Sequence, residues 1–385
     1  MLSIPFNIAA PVGQERRYVE DLLSATGDIG EPRYSALCEQ WLEKCLGAPR
    51  VLLTPSGTAA LEMTALLLDL RPGDEVIMPS FTFVSTANAF ALRGVTPVFV
   101  DIRPDTLNID DARVAAAVTD RTRAIVAVHY GGDACAMAAL RALAQRHRLD
   151  VIEDAAHALL SEFRGRALGT IGRFGCLSFH STKNVTCGEG GALIINDERD
   201  LARVEIIREK GTDRARFLRG DVQKYSWMDL GSSYCLSEIA AAYLYAQLQE
   251  AHAVTERRRA ICAAYRASFA SLVADGHVQI PPQILQQREN GHIFYLLTED
   301  AATRENLLAH LKAHGVSASF HYVPLHSSPA GQRFGRVSGQ MTVTDRVSQC
   351  ILRLPVFATM TDLQVNHVCA AVRSFYLHPS PGTVS

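Results

Sequence analysis

The chain has 385 residues, 48% of them hydrophobic, with 38 Lys+Arg against 40 Asp+Glu and a formal net charge of -2. That balance predicts a soluble globular protein of two domains with a large core, and excludes a long-range field for nucleic acid or an anionic membrane. A local basic pocket for one phosphorylated ligand stays open.

The opening stretch "MLSIPFNIAAPVGQERR" has no basic region followed by an apolar run, and no later segment approaches eighteen apolar residues. A cytoplasmic protein without a membrane partner is expected. From residue 50, β-rich runs alternate with helical patterns: "VLLT" with "GTAALEMTALLLDL", "EVIMPS" with "STANAFALRG", "PVFVDI" with "DDARVAAAV", "AIVAVHY" with "MAALRALAQRH", then "DVIEDAA". This rhythm predicts a mainly parallel α/β sheet covered by helices on both faces. "CLSFHS" and "GALIIND" follow with no room for a helix between them, so an antiparallel edge or return strand is expected, ending the sheet near Asp197.

Residues 198–210 read as a helix, and "GTDRARFLRGDVQKYSWMDLGSSY" as a long irregular segment of the kind found at sites. One long helix, from Leu236 to Phe269, is expected to lead into a smaller unit. There "HIFYLLT", "TRENLLAHLKAHG" and "ASFHYVP" read as strand, helix and strand of an α+β domain. The boundary is placed at 250, with a large domain over 1–250 and a small one over 251–385. The last residues, "LHPSPGTVS", carry turn formers and little to bury, and a frayed tail is expected.

The nine cysteines, at 38, 45, 135, 176, 187, 235, 262, 350 and 369, form no C-x-x-C pair or zinc spacing with histidine, so reduced thiols and no metal site are expected.

Three residue groups could carry chemistry. Ser56, Gly57 and Thr58 in "TPSGTAALEM" stand between a strand and a helix, where free amides and the helix dipole favour a phosphate; a plain N-cap, the commoner role of Ser/Thr at such junctions, reads from the same residues. No dinucleotide or nucleoside-triphosphate glycine motif is present. "VIEDAAHA" delivers Asp154 and His157 to the C-terminal end of a central strand, where open α/β sheets bind ligands. A buried carboxylate needs a cation or several donors. Lys183, in "SFHSTKNVTCGEGG", follows another apolar strand and can rise at the same end. An imine-forming amine, a phosphate cradle and a buried anion together meet the needs of pyridoxal phosphate.

The stretches "PSGTAALEM", "PGDEVIMPSFTFVSTANAFALRG", "VIEDAAHA", "GRALGTIGRFGCLSFHSTKNVTCGEGG" and "FHYVPLH", in this order and spacing, resemble the DegT/StrS family of sugar-nucleotide aminotransferases. The resemblance runs from about residue 3 to 376. It implies the aspartate-aminotransferase (type I pyridoxal-phosphate-dependent) fold: a large, mostly parallel mixed sheet with a small C-terminal α+β domain. "IPFN", "LLTPS", "STANAF", "KGT" and "DLGSSY" are further similar to the members that aminate carbon 4 of dTDP-4-keto-6-deoxyglucose to dTDP-4-amino-4,6-dideoxygalactose, a product suited to a bacterial surface polysaccharide.

The resemblance implies that Lys183 holds the cofactor covalently and moves protons, and that Asp154 faces the pyridine nitrogen. It places Gly57, Thr58 and Ser178 at the phosphate, Phe83 on the ring face and His157 beside the ring hydroxyl. It also implies L-glutamate as donor and a homodimer with shared active sites. Many relatives carry Gly-x-Asn at the cross-subunit phosphate contact. Here Gly231-Ser232-Ser233 stands instead, and Ser233 keeps a hydroxyl with shorter reach. For the sugar nucleotide, Lys224 and Tyr225 on the irregular segment and His321 and His326 in "FHYVPLH" are expected contacts. The gluco epimer, a 3-keto acceptor, and a non-catalytic sugar-nucleotide-binding or regulatory role stay open.

Overall fold

The computed structural model describes residues 2–24 and 32–377. The expected frayed tail beyond Leu377 lies outside the described residues.

Helices α1 (Glu15–Ser24) and α2 (Tyr34–Leu46) precede an alternation of β1 (Arg50–Thr54), α3 (Gly57–Leu67), β2 (Glu75–Pro79), α4 (Val84–Ala91) and β3 (Thr96–Val100). It continues through α5 (Asp111–Ala117), β4 (Thr122–Val128), α6 (Met137–His147) and β5 (Asp150–Asp154). Two short strands, β6 (Glu162–Phe163) and β7 (Arg166–Ala167), lead to β8 (Phe174–Ser178) and β9 (Gly191–Ile195). Then come α7 (Leu201–Arg208), α8 (Arg214–Leu218), α9 (Glu238–Gln249), α10 (Ala251–Ser268) and α11 (Ala270–Ala274). The remainder holds β10 (Val278–Gln279), β11 (Gln287–Arg288), β12 (Phe294–Thr298), α12 (Ala301–Ala313), α13 (Pro329–Phe334), β13 (Arg336–Val337), α14 (Thr342–Cys350), β14 (Ile351–Leu354) and α15 (Asp362–Leu377).

The large sheet runs β1-β9-β8-β5-β4-β2-β3-β13. Strands β8, β5, β4, β2, β3 and β13 are parallel, and β9 is antiparallel to both β8 and β1. The return strand is thus β9, inside the sheet, and β1 takes the edge. Strands β2 and β9 are buried at every position, because helices cover both faces. Glu153, on β5, accepts hydrogen bonds from the amides of Gly169, Ile171 and Gly172 at 2.8, 2.6 and 2.5 Å and contacts His129 Nε2 at 2.8 Å. These bonds pin the turn that feeds β8 beside β5, and so aim the chain that carries Ser178 and Lys183.

A second, antiparallel sheet, β10-β12-β14, packs its apolar face on α10, α12 and α15 through Tyr265, Phe269, Phe294, Leu307, Leu352 and Val368. Two sequence expectations change here. The long helix breaks at Glu250 (φ -100°, ψ 5°), whose amide donates to the Gln247 carbonyl at 3.2 Å while its own carbonyl accepts from Val254 at 3.0 Å, so α9 closes there and α10 starts as a separate helix. "ASFHYVP" forms no strand: after a single two-bond bridge between Ser319 and Arg353, the chain turns away to stack His321 on Tyr322.

Two segments cross the expected boundary at 250. Ile4 donates to the Gly315 carbonyl at 2.8 Å and accepts from Ser317 at 2.9 Å, and β13 adds to the far edge of the large sheet. All nine cysteines are free thiols.

Candidate active site

The C-terminal ends of β5 and β8 and the N-terminus of α3 open onto a cavity of about 610 Å³. Its floor is the large sheet. Its roof comes from Phe6 and Asn7, His292, the 319–322 loop and Arg353.

At α3, the Ser56 side chain accepts from the Ala59 amide at 3.0 Å and the Ser56 carbonyl accepts from Ala60. Among the described residues nothing accepts from the Gly57 or Thr58 amide, which leaves two donors of the first turn aimed at the cavity, as an anion site requires. A Cβ at Gly57 would sit 3.0 Å from Ser178 Cβ and 3.1 Å from the Leu177 carbonyl oxygen. Glycine is what lets the helix start press against β8. Thr58 Oγ1 and Ser85 Oγ lie 2.7 Å apart, and Ser178 lines the same corner.

Asp154 ends β5 and is buried. Its Oδ2 accepts from Thr86 Oγ1 at 2.8 Å and its Oδ1 from the Ala156 amide at 3.2 Å; Thr86 in turn touches Thr82 Oγ1 at 2.9 Å. Two donors are fewer than a buried carboxylate can accept, so room remains for one more N–H. Lys183 follows β8 in a turn closed by its amide donating to the His180 carbonyl at 2.9 Å. Its amine is pulled down to about 8 by burial; Asp154 works against that shift and Arg353 adds to it. That brings the neutral amine, which an imine-forming lysine needs, within reach just above neutral pH.

Three histidines gather on one side of the cavity, His292 and His321 from the roof and His157 from beyond β5. His157 accepts from the Gly131 amide at its Nδ1 (3.3 Å), and its ring lies 4.4 Å from His292 and 6.2 Å from His321. Burial, with Lys183 and neighbouring cations, pushes His157 well below its ordinary value, and burial with Arg353 and Lys183 takes His321 to about 2. Both rings are neutral hydrogen-bonding groups. His321 Nδ1 sits 3.2 Å from Tyr130 Oη.

The DegT/DnrJ/EryC1/StrS aminotransferase family model matches residues 13–373. The chain belongs to this family. It is 35% identical over 325 residues to the "pleiotropic regulatory protein" of Geobacillus stearothermophilus, with 84% of each chain covered. Among solved structures, DesV of S. venezuelae with a ketimine intermediate superposes with a TM-score of 0.89 at 30% identity, covering 97% of this chain and 99% of that one. TlmJ of Streptoalloteichus hindustanus gives 0.87 at 28% identity, covering 98% and 99%. Family membership makes the protein a pyridoxal-phosphate-dependent sugar aminotransferase with the type I fold.

The residues present fit that cofactor. The helix start freed by Gly57 would hold the phosphate, the incompletely satisfied Asp154 the pyridine nitrogen, and Lys183 the aldehyde carbon. Phe83 lines the cavity and is 57% exposed, an apolar face available for a ring.

Gly57, Thr58, Phe83, Asp154, His157, Ser178, Lys183 and His321 all line the one cavity. The other four sites expected from the sequence do not. Lys224 and Tyr225 are exposed beyond α8, where Tyr225 packs edge-on against Phe217. Ser233 is exposed, its backbone bridged to Glu209. His326 is turned toward the end of β2: its Nδ1 meets Ser80 Oγ at 2.7 Å, and its amide donates to the same oxygen at 3.0 Å. It braces the 325–327 turn on the large sheet. Sequence reading missed Asn7, Thr82, Ser85, Thr86, His292 and Arg353. The hydroxyl run in "SFTFVST" and the lone cation in "ILRLP" were the available signals.

Proposed function

We propose that the protein transfers the amino group of L-glutamate to carbon 4 of dTDP-4-keto-6-deoxyglucose, giving dTDP-4-amino-4,6-dideoxygalactose. One observation carries the narrow reading. Of the five stretches similar to carbon-4 aminating members, three line the cavity: "IPFN" through Phe6 and Asn7, "LLTPS" through Ser56, and "STANAF" through Ser85 and Thr86.

Bound pyridoxal phosphate supplies the electron sink for the carbon that loses or gains the amine. The chain's own groups do the rest. Lys183 Nζ takes a proton from the donor's α-carbon and later delivers one to sugar carbon 4 from the same side, which fixes the configuration of the new amine. Asp154 holds a proton at the pyridine nitrogen. The neutral His157 ring offers a hydrogen bond without adding charge, and the Gly57 and Thr58 amides anchor the phosphate so that the reacting atoms stay near Lys183.

The reading includes a homodimer in which Ser233 acts across the interface. Trp227, Met228 and Leu230, 77%, 55% and 56% exposed beside it, support a covered surface there. The name of the Geobacillus relative favours a regulatory reading of this fold. Lys183 and Asp154, both in place, favour catalysis.

The test is amination of dTDP-4-keto-6-deoxyglucose by wild type beside Lys183→Ala, with the carbon-4 configuration read by NMR. An axial amine made only by wild type is expected. An equatorial amine moves the protein to the gluco series, and no product despite bound cofactor sinks the substrate assignment.

A further inference from the structure

Lys183 stands on a turn that is held, next to the lysine itself, by one side chain. The Lys183 amide closes the turn on the His180 carbonyl, and Val185 is buried two residues on. Between those two points, among the described residues, the backbone makes no hydrogen bond, while the Asn184 side chain makes two. Its Nδ2 donates to the Asn290 carbonyl at 3.1 Å, and its Oδ1 lies 2.7 Å from His292 Nδ1. Packing does not replace this tie, because a second cavity of about 220 Å³ borders the turn at Lys183, Asn184 and Thr186.

The far end of the tie is fixed. The His292 amide donates to Asn290 Oδ1 at 3.0 Å, and Asn290 Nδ2 donates to the carbonyls of His157 and Leu159 at 2.7 and 2.9 Å. Arg258 Nε and Nη2 donate to the carbonyls of Gly291 and His292 at 3.1 and 2.8 Å. Asn290, His292 and Arg258 are all buried, and buried polar groups joined in this way hold one geometry. The bonding also sets the ring's protons. Because the Asn184 nitrogen faces a carbonyl, its oxygen faces the imidazole, and an oxygen without a proton requires Nδ1 to donate. Burial, with Lys183, holds His292 well below its ordinary value, so the ring is neutral and Nε2 carries only a lone pair.

We propose that His292 is a positioning residue for Lys183: its Nδ1–H, acting through Asn184, sets where the lysine stem starts and so from which side the amine meets the reacting carbon. The inference rests on the transaminase reading above, but not on which sugar is aminated. A lysine amine rides on a flexible stem, and proton transfer needs it held close to one carbon. The backbone at 183 is the fixed end of that stem, so a turn that drifts carries the amine with it.

The experiment compares His292→Asn, His292→Gln and His292→Phe. Asparagine can place its amide nitrogen where histidine has Nδ1, and glutamine where it has Nε2. One series follows capture of pyridoxal phosphate by cofactor-free protein in stopped flow. The other follows conversion of L-glutamate, and of its α-deuterated form, by loaded protein in single turnovers. For His292→Phe, capture and α-proton removal are expected to slow about 30-fold or more. Half-saturation by L-glutamate should stay within about twofold, and the deuterium isotope effect should rise. His292→Asn is expected to recover most of the loss and His292→Gln little of it. Asn184→Leu should reproduce His292→Phe, and the double variant should be no slower than either alone. Recovery by Gln instead of Asn assigns the ring's work to Nε2 and overturns the proposal. So do additive losses, or a lower urea midpoint with capture and isotope effect unchanged. If the Phe variant does not fold, the Asn and Gln variants, which keep a polar group at 292, decide between the two nitrogens. Wild type that captures the cofactor but converts no amino acid would sink the transaminase reading, and the proposal then stands or falls on the capture series. Failure to aminate the dTDP sugar touches neither series.

Discussion

On the floor of the cavity, Gly57 starts a helix, Asp154 and Ser178 end strands, and Lys183 follows one by five residues. On its roof, Phe6, His292, His321 and Arg353 come from four segments that span nearly the whole chain, and only Arg353 lies in a regular strand. Parallel strands whose neighbours are fixed by register place floor atoms through the backbone. Roof atoms are placed by side-chain contacts: Arg353 on Phe6, His321 on Tyr322 at 3.7 Å, and His292 Nδ1 against Asn184 Oδ1 at 2.7 Å. A backbone-fixed floor suits an invariant cofactor, and a contact-built roof suits a substrate that must enter and leave.

If this division holds, damage to the floor strikes chemistry with any substrate. The largest effect is expected for Asp154→Asn, which keeps the shape and the Thr86 contact but removes the charge. The rate of both half-reactions should fall by about 10²–10³-fold, with little change in half-saturation by L-glutamate, measured by single-turnover absorbance. A change confined to half-saturation would move Asp154 from the floor's work to the roof's.

Gly57→Ala comes next. Helix propensity alone would make the change favourable by about 1 kcal/mol. Here the new methyl meets Ser178 Cβ and the Leu177 carbonyl, the latter fixed in the β8 ladder, and overpacking costs about 1–3 kcal/mol. Affinity for pyridoxal phosphate should fall about tenfold, read by equilibrium dialysis, with a lower midpoint in urea. An unchanged affinity would show that α3 can withdraw from β8 and that the floor is softer than its geometry implies.

The same contrast explains what could be read in advance. The α/β alternation, Asp154 at a strand end and Lys183 after the next apolar run are local patterns, visible because strand ends in a parallel sheet converge wherever the loops lie. Roof positions depend on pairings distant in sequence. "FHYVPLH" offered two histidines of equal promise. The 3-10 turn at 325–327 sends His326 to Ser80 while His321 faces the cavity, and no local periodicity encodes that turn. Arg353 was visible as a cation in an apolar strand, but its seat in the roof shows only once Phe6 and Phe320 are placed around it.

Roof and floor are still electrically joined, and the smallest expected effect measures that joint. Lys183 titrates at about 8, not 10.5, chiefly through burial, with Asp154 opposing and Arg353 assisting the shift. Between those two values the unfolded chain holds a proton that the folded chain has lost, so stability of the cofactor-free protein rises with pH across the window; below about 8 the cost of the buried ammonium is fully present. Covalent capture of pyridoxal phosphate needs the neutral amine, so its rate should rise through pH of about 8 in wild type. Arg353→Gln removes a cation from above the amine, and the midpoint should move up by less than about one unit. A stopped-flow pH series on cofactor-free protein reads it. A downward shift would mean that the charge of Arg353 is not what depresses Lys183; no shift would mean that the roof is electrically separate and that floor chemistry is set by burial and Asp154 alone.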